Sequence, residues 1–160
     1  MSFHLSLSAD TVTAAYPDEP LLVSPETTIR EVLQLMRTQR GGSVLVCDDS
    51  GVIGIYTERD ALASISAAAN GQEDSKLDRS VTEVMTASPV SVSTKTTVEE
   101  AITKMSEGGY RNLPVLSETN QPEGVIAVRG IVHYLVDHFP NTIYNLPPQP
   151  GRSPAEREGA

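Results

Sequence analysis

Thr57 and Asp60 place a hydroxyl and a carboxylate three positions apart. The apolar run 52–56 precedes them and the alanine-rich segment 61–69 follows. This pattern predicts a strand that turns straight into a helix. The first turn of a helix leaves backbone N–H groups without intrahelical partners, and these suit an anion. Residues three apart on a helix share a face. A hydroxyl beside free amides suits phosphate, and a carboxylate suits a ribose diol, which offers two donors. The same two residues also fit a structural role, with Thr57 as N-cap and Asp60 as a favourable charge at the helix start.

Other chemistry is poorly represented. The chain has no Gly-x-Ser-x-Gly elbow, no His-Glu-x-x-His helix and no Gly-x-x-x-x-Gly-Lys-[Ser/Thr] loop. His4, His133 and His138 suggest no metal triad, and Asp48-Asp49 reads as a turn pair. The single cysteine, Cys47, lies in an apolar run, which excludes an internal disulfide and marks it as core. A net charge of −9, 4% aromatic residues and no Trp argue against a nucleic-acid partner. A small anionic ligand then needs local basic residues. The first ten residues lack a basic flank and a long apolar core, and no apolar run approaches a membrane span. The expectation is a soluble cytoplasmic protein that is not an enzyme and has neither membrane nor nucleic-acid partners.

The elements that must hold Thr57 and Asp60 recur along the chain. Val12-Thr13 returns as Val81-Thr82, Pro20 as Pro89, Val23-Ser24 as Val92-Ser93 and Thr27-Thr28 as Thr96-Thr97. Glu31 matches Glu100, Met36 matches Met105 and Val46 matches Val115, always at an offset of 69 (97 − 28). One extra residue then enters the second copy, so Gly54 matches Gly124. Each copy opens on a short strand, 21–24 or 90–93. A capping box follows, Thr28 with Glu31 or Thr97 with Glu100. Apolar residues then recur at helical spacing: Ile29, Val32, Leu33 and Met36, and Val98, Ala101, Ile102 and Met105. Gly41-Gly42 and Gly108-Gly109 are expected to stop these helices. Strands 43–47 and 52–56 follow in the first copy, and 112–116 and 124–128 in the second. Closing helices are expected over 58–69 and 129–138.

The fold class is therefore α+β: two β-α-β-β-α units about a pseudo-two-fold axis, sheets packed together and helices outside. A single unit of about 60 residues buries too little to be secure alone. The organisation reads as an N-terminal segment 1–10 that adds an edge strand, repeat 1 over 11–69, a linker 70–80, repeat 2 over 81–138, and a tail 139–160. Residues 81–85 read as a short helix. The Pro/Gly-rich tail reads as extended or disordered, with Tyr144 and Leu146 able to dock on a neighbouring surface.

This organisation resembles a pair of CBS (cystathionine β-synthase) domains, the Bateman module, standing alone. The resemblance covers about residues 11–138. It rests on both Thr-Thr capping boxes, on Val84-Met85-Thr86, on Arg111-Asn112-Leu113-Pro114-Val115 and on Gly54-Ile55-Tyr56-Thr57-Glu58-Arg59-Asp60. It implies a regulatory, non-catalytic sensor that binds AMP, ADP, ATP, NAD or S-adenosylmethionine in a cleft between repeats, with AMP or ATP favoured. It also implies a homodimer that signals by a change of geometry to an unidentified effector protein. Carried over by position, Asp60 takes the ribose hydroxyls and Thr57 binds phosphate or ribose. Ile55 and Tyr56 line the cleft, and adenine lies against Ser88, Pro89 and Val90. Arg111 and His133 are the phosphate candidates.

The second copy departs from the pattern: Ala127 and Gly130 stand where the first has Thr57 and Asp60. One nucleotide site per chain is expected. Gly42 matches Arg111, so the first copy also lacks that basic residue. The missing second motif leaves an alternative open, a ligand-free dimeric scaffold that docks a partner through its surface or tail.

Overall fold

The computed structural model describes residues 7–71 and 74–139. In repeat 1, β1 (Leu22–Val23) leads to α1 (Ile29–Gln39), the hairpin β2 (Ser43–Asp48) and β3 (Gly51–Thr57), and α2 (Glu58–Gly71). Two 3-10 turns, Asp74–Asp78 and Val81–Glu83, lead to the short strand β4 (Thr86–Ala87). Repeat 2 continues with α3 (Val98–Gly108), the hairpin β5 (Asn112–Leu116) and β6 (Pro122–Ala127), and α4 (Val128–His138). The α+β repeat organisation is thus present as expected.

The capping boxes start the two central helices. Thr28 and Thr97 accept from the backbone N–H of Glu31 and Glu100, whose carboxylates accept in return from the cap N–H groups. The helix stops differ from expectation in the first copy. Gly109 caps α3 in the left-handed conformation with φ 68°, but Arg40, not a glycine, caps α1 with φ 52°. Gly41 has another reason to be glycine: a side-chain carbon there would sit 2.4 Å from Leu21 Cδ1.

Period-two alternation divides each strand between two layers. Val44, Val46 and Tyr56 face Ile29, Val32 and Met36 in the first helix–sheet core. Leu113, Val115 and Ile126 face Val98, Ala101 and Met105 in the second. Leu45, Val52 and Ile55 turn the other way and meet Val125 and Leu116 across the sheet–sheet interface. Both faces of the strands are therefore buried, as in sheets covered on both sides.

The repeats are joined by exchange. Strand β1 runs parallel to β2, and β4, from the lead-in of the second copy, pairs antiparallel with β3. Reciprocally, Asp18 bridges antiparallel to Val125 of β6, and Val92 bridges parallel to Val115 of β5. The expected opening strand 90–93 is thus reduced to one bridge, and β6 starts at Pro122, earlier than position 124. Val81 packs in the first core, whereas Leu7, Val12 and Ala15 pack in the second. Residues 7–9 are helical and not the end of the edge strand expected over 1–10, because Leu7 is buried in the second core among residues of both its strands and its helices; residues 1–6 lie outside the described residues. The tail expected to dock through Tyr144 and Leu146 lies outside the described residues.

Candidate functional site

The exchange leaves one large cleft of about 830 Å³ where the repeats meet. Its walls come from the start of α2, the turn after α1, the two lead-in segments, the turn after α3 and the start of α4. The two halves are related by pseudo-symmetry. Glu58 N–H donates to Gly42 O at 3.2 Å, and Val128 N–H donates to Arg111 O at 3.0 Å.

In the first half, β3 runs without a loop into α2, so Thr57 and Asp60 stand at the cleft wall beside Ile55. Thr57 donates both its backbone N–H and its hydroxyl to Asp60 Oδ2, at 2.8 and 2.9 Å. This repeats what Thr28 does with Glu31 at the start of α1. The hydroxyl is therefore a donor to Asp60, and Asp60 supplies the cap. The second oxygen, Asp60 Oδ1, has no hydrogen-bond partner among the described residues. A carboxylate oriented by two donors can accept from a diol without rearrangement. One first-turn amide, that of Glu58, is already taken by Gly42 O, so fewer amides are free for an anion than the sequence implies.

Thr86, Pro89 and Val90 also line the cleft, and Thr86 is the register partner of Ile55 across β3 and β4. Ser88 holds φ 47° and is not among the residues lining the cleft; its N–H donates to Ile53 O. The left-handed turn at Ser88 separates Thr86 from Pro89 and Val90, which do line it. Val90 is 40% exposed and adds apolar surface to the cleft wall.

Six of the nine positions singled out in the sequence line this cleft: Ile55, Thr57, Asp60, Pro89, Val90 and Arg111. Three do not. Ser88 is turned out as described. Tyr56 is fully buried in the first helix–sheet core, where its hydroxyl donates to Ser64 Oγ at 3.0 Å and burial raises its pKa. The alternation of β3 forces this, since Ile55 and Tyr56 point to opposite faces. His133 stacks on Tyr16 with ring centroids 4.2 Å apart, and its Nε2 lies 3.4 Å from Asp137 Oδ2. It faces the lead-in segment and does not line the cleft.

The cleft also holds charged residues beyond the Asp60 and Arg111 singled out in the sequence. Arg40, Arg59, Arg111 and Arg129 line it, together with Asp18, Glu19, Glu58 and Asp60. Four cations balance four anions in a chain of net charge −9. Arg129 is paired with Asp18 at 2.7 Å. Among the described residues, Arg40, Arg59 and Arg111 have no carboxylate within ion-pair distance. For an apolar lining residue, in contrast, the repeat offset carried a signal: it maps Val90 onto Leu21, which also lines the cleft.

The second half has no equivalent of the Thr57–Asp60 pair. Ala127 caps α4 without a side-chain hydrogen bond. Gly130 is packed under the Ala15 carbonyl, where a side-chain carbon would sit 2.5 Å from the oxygen.

Comparison with known proteins agrees with this architecture. The CBS domain family model matches residues 14–67 and 81–137. An uncharacterised 17.7 kDa protein of Acidianus ambivalens is 32% identical over 117 residues, 72% of this chain and 67% of that protein. Of longer relatives in fission yeast and Arabidopsis, the chain spans only 15–21%. The crystal structure of CBSX2 of Arabidopsis thaliana in complex with AMP is similar in fold, with a TM-score of 0.67 and 23% identity, covering 80% of this chain and 97% of that one. The CBS domain pair of protein MJ0100, in complex with 5′-methylthioadenosine and S-adenosyl-L-methionine, gives a TM-score of 0.65 at 18% identity over 77% of this chain and 97% of that one. With both repeats matched, the chain belongs to the CBS domain family and is a tandem CBS pair.

Proposed function

We propose that this CBS pair is a regulatory module that senses an adenosine nucleotide, with AMP or ATP favoured over NAD and S-adenosylmethionine. The observation that carries the reading is the Thr57–Asp60 pair on the wall of the inter-repeat cleft. Asp60 Oδ2 is fixed by two donors and Oδ1 is left to accept from a ribose. Adenine packs against Pro89 and Val90, and Arg111 meets the phosphate. The AMP complex of CBSX2 and the adenosine compounds bound by MJ0100 support the ligand class. The protein acts in the cytoplasm, without catalysis, through an effector protein still to be identified. Exposed Leu62 and Ile65 on α2, and Val128 and Val132 on α4, support a homodimer. Ligand shifts the geometry of that dimer only if it binds one arrangement better than the other.

The test is a thermal-shift series with AMP, ATP, NAD and S-adenosylmethionine on the protein and on Asp60→Ala. A ligand at 100 times its Kd stabilises the native state by about 2.7 kcal/mol. A shift with one compound, absent in the variant, supports the sensor. No shift at millimolar concentration with any of the four overturns it. The degenerate second half, with Ala127 and Gly130, favours the second reading in that event: a ligand-free dimeric scaffold docking a partner through its surface or the tail 139–160.

A further inference from the structure

The turn after α1 carries an arginine that the fold itself does not need. Arg40 occupies the left-handed C-cap position with φ 52°, where its backbone N–H donates to Met36 O. The matching position of the second repeat is Gly109, with φ 68° and the same bond to Met105 O. Glycine adopts this conformation freely, whereas residues with a Cβ are disfavoured in it. Capping α1 requires only the backbone, so the side chain at position 40 does not help to stop the helix.

Its surroundings give the side chain a use. Arg40 lines the cleft and has no carboxylate within ion-pair distance among the described residues. The turn 40–42 abuts both halves of the cleft. Gly42 O takes the Glu58 N–H at the start of α2, one residue after Thr57. A side-chain carbon on Gly42 would lie 3.9 Å from the Glu58 carboxyl and 3.9 Å from Asn112 Oδ1. Asn112 follows Arg111. The turn thus brings Arg40 from one repeat and Arg111 from the other to the same cleft as Asp60. A chain of net charge −9 repels anions at long range, so an anionic ligand depends on local cations. A guanidinium offers paired N–H donors that match a phosphate.

We propose that Arg40 is the residue by which the cleft selects an adenosine compound with an anionic 5′ group over one whose 5′ group is neutral. This inference rests on the nucleotide-binding reading above and names the residue that sets its ligand class. Glu58, with its carboxyl beside the turn, works against the anion and tempers the selection.

Calorimetric titration of AMP and of adenosine into the full chain, Arg40→Gly, Arg40→Lys and Glu58→Gln tests it. Arg40→Gly places glycine where glycine is conformationally preferred, so its melting temperature is expected to hold or rise. AMP binding to it weakens about tenfold, while adenosine binding changes by less than about twofold. Arg40→Lys keeps the charge and recovers part of the loss. Glu58→Gln tightens AMP and leaves adenosine unchanged. If AMP and adenosine change in parallel, or AMP is unaffected by Arg40→Gly, the assignment to Arg40 is wrong. In that case Asp60→Ala, which removes binding of both compounds, still upholds the nucleotide site. An unaltered protein that binds neither compound overturns both the inference and the reading beneath it.

Discussion

Gly130 lies directly under the carbonyl oxygen of Ala15: a side-chain carbon at position 130 would sit 2.5 Å from that oxygen and 3.1 Å from the carbonyl of Tyr16. The position matches Asp60 of the first repeat. The missing carboxylate is therefore coupled to the path of the lead-in segment, whose backbone fills the space. Gly130→Asp is expected to destabilise the protein by about 2–4 kcal/mol, through overpacking and a buried charge. It is not expected to create a second site. Denaturant unfolding measures the first effect and calorimetric stoichiometry the second. A variant with unchanged stability that binds two AMP per chain would contradict the packing argument.

Asp60 serves the fold as well as the site, and the two roles separate by substitution. It caps α2 by accepting from the Thr57 N–H and hydroxyl. Asp60→Ala removes both and is expected to cost about 1 kcal/mol of stability. Asp60→Asn retains an acceptor for the cap but loses the charge. It is expected to melt within a degree or two of the parent and still bind AMP at least about tenfold more weakly, because hydrogen bonds to charged acceptors are the stronger ones. Equal AMP affinity in parent and Asn variant, measured by calorimetry, would remove Asp60 from the binding site.

The sequence carried the fold unusually far because the chain repeats itself. A shared offset aligned Thr28 with Thr97 and Glu31 with Glu100, and both capping boxes formed. Helical and strand periodicities then gave the elements. What the repeat could not show was exchange. Local pattern says that residues 81–85 precede repeat 2, but only packing places Val81 in the core of repeat 1. The same limit governs the site. Thr57 and Asp60 stood out as a motif and Pro89 and Val90 followed from the family resemblance, and all four line the cleft, whereas Tyr56 required the alternation of β3 to be followed into the core. His133 was misplaced because its partner, Tyr16, lies 117 residues away in the lead-in segment. Arg40 was hidden by the glycines beside it, which read as the helix stop that Arg40 itself forms.

Alkaline stability is set in part by Tyr134. Its ring is fully buried in the second core and its hydroxyl donates to Asp10. Burial, and then the hydrogen bond to Asp10, push its pKa up to about 12. Tyr56 is raised by burial and Tyr16 by its hydrogen bond to Asp137. An unfolded tyrosine ionises near pH 10. A raised folded value means that the native state holds the proton more tightly, so this contribution is complete below about pH 10 and is lost as pH rises toward 12. Denaturant midpoints at pH 8, 9, 10 and 11 should fall more steeply for the parent than for Tyr134→Phe. Parallel curves would show that Tyr134 titrates alike in both states.

The exchanged lead-in segments predict that the two repeats stand or fall together. Val12 N–H donates to Thr96 O at 2.8 Å, and Val81 N–H donates to Thr27 O at 2.9 Å. Both side chains are fully buried, each in the core of the other repeat. Val12→Ala and Val81→Ala are each expected to cost about 2 kcal/mol, from lost burial and the cavity left behind. Each variant should lower one common melting transition, because a repeat that loses its borrowed valine weakens the sheet–sheet contact on which the other depends. A chain of residues 81–139 alone lacks Val12 and Ala15 and exposes Val81, so it is expected to remain unfolded. Calorimetry decides the matter. Two resolved transitions, with Val81→Ala shifting only one, would show that the repeats fold independently despite the exchange.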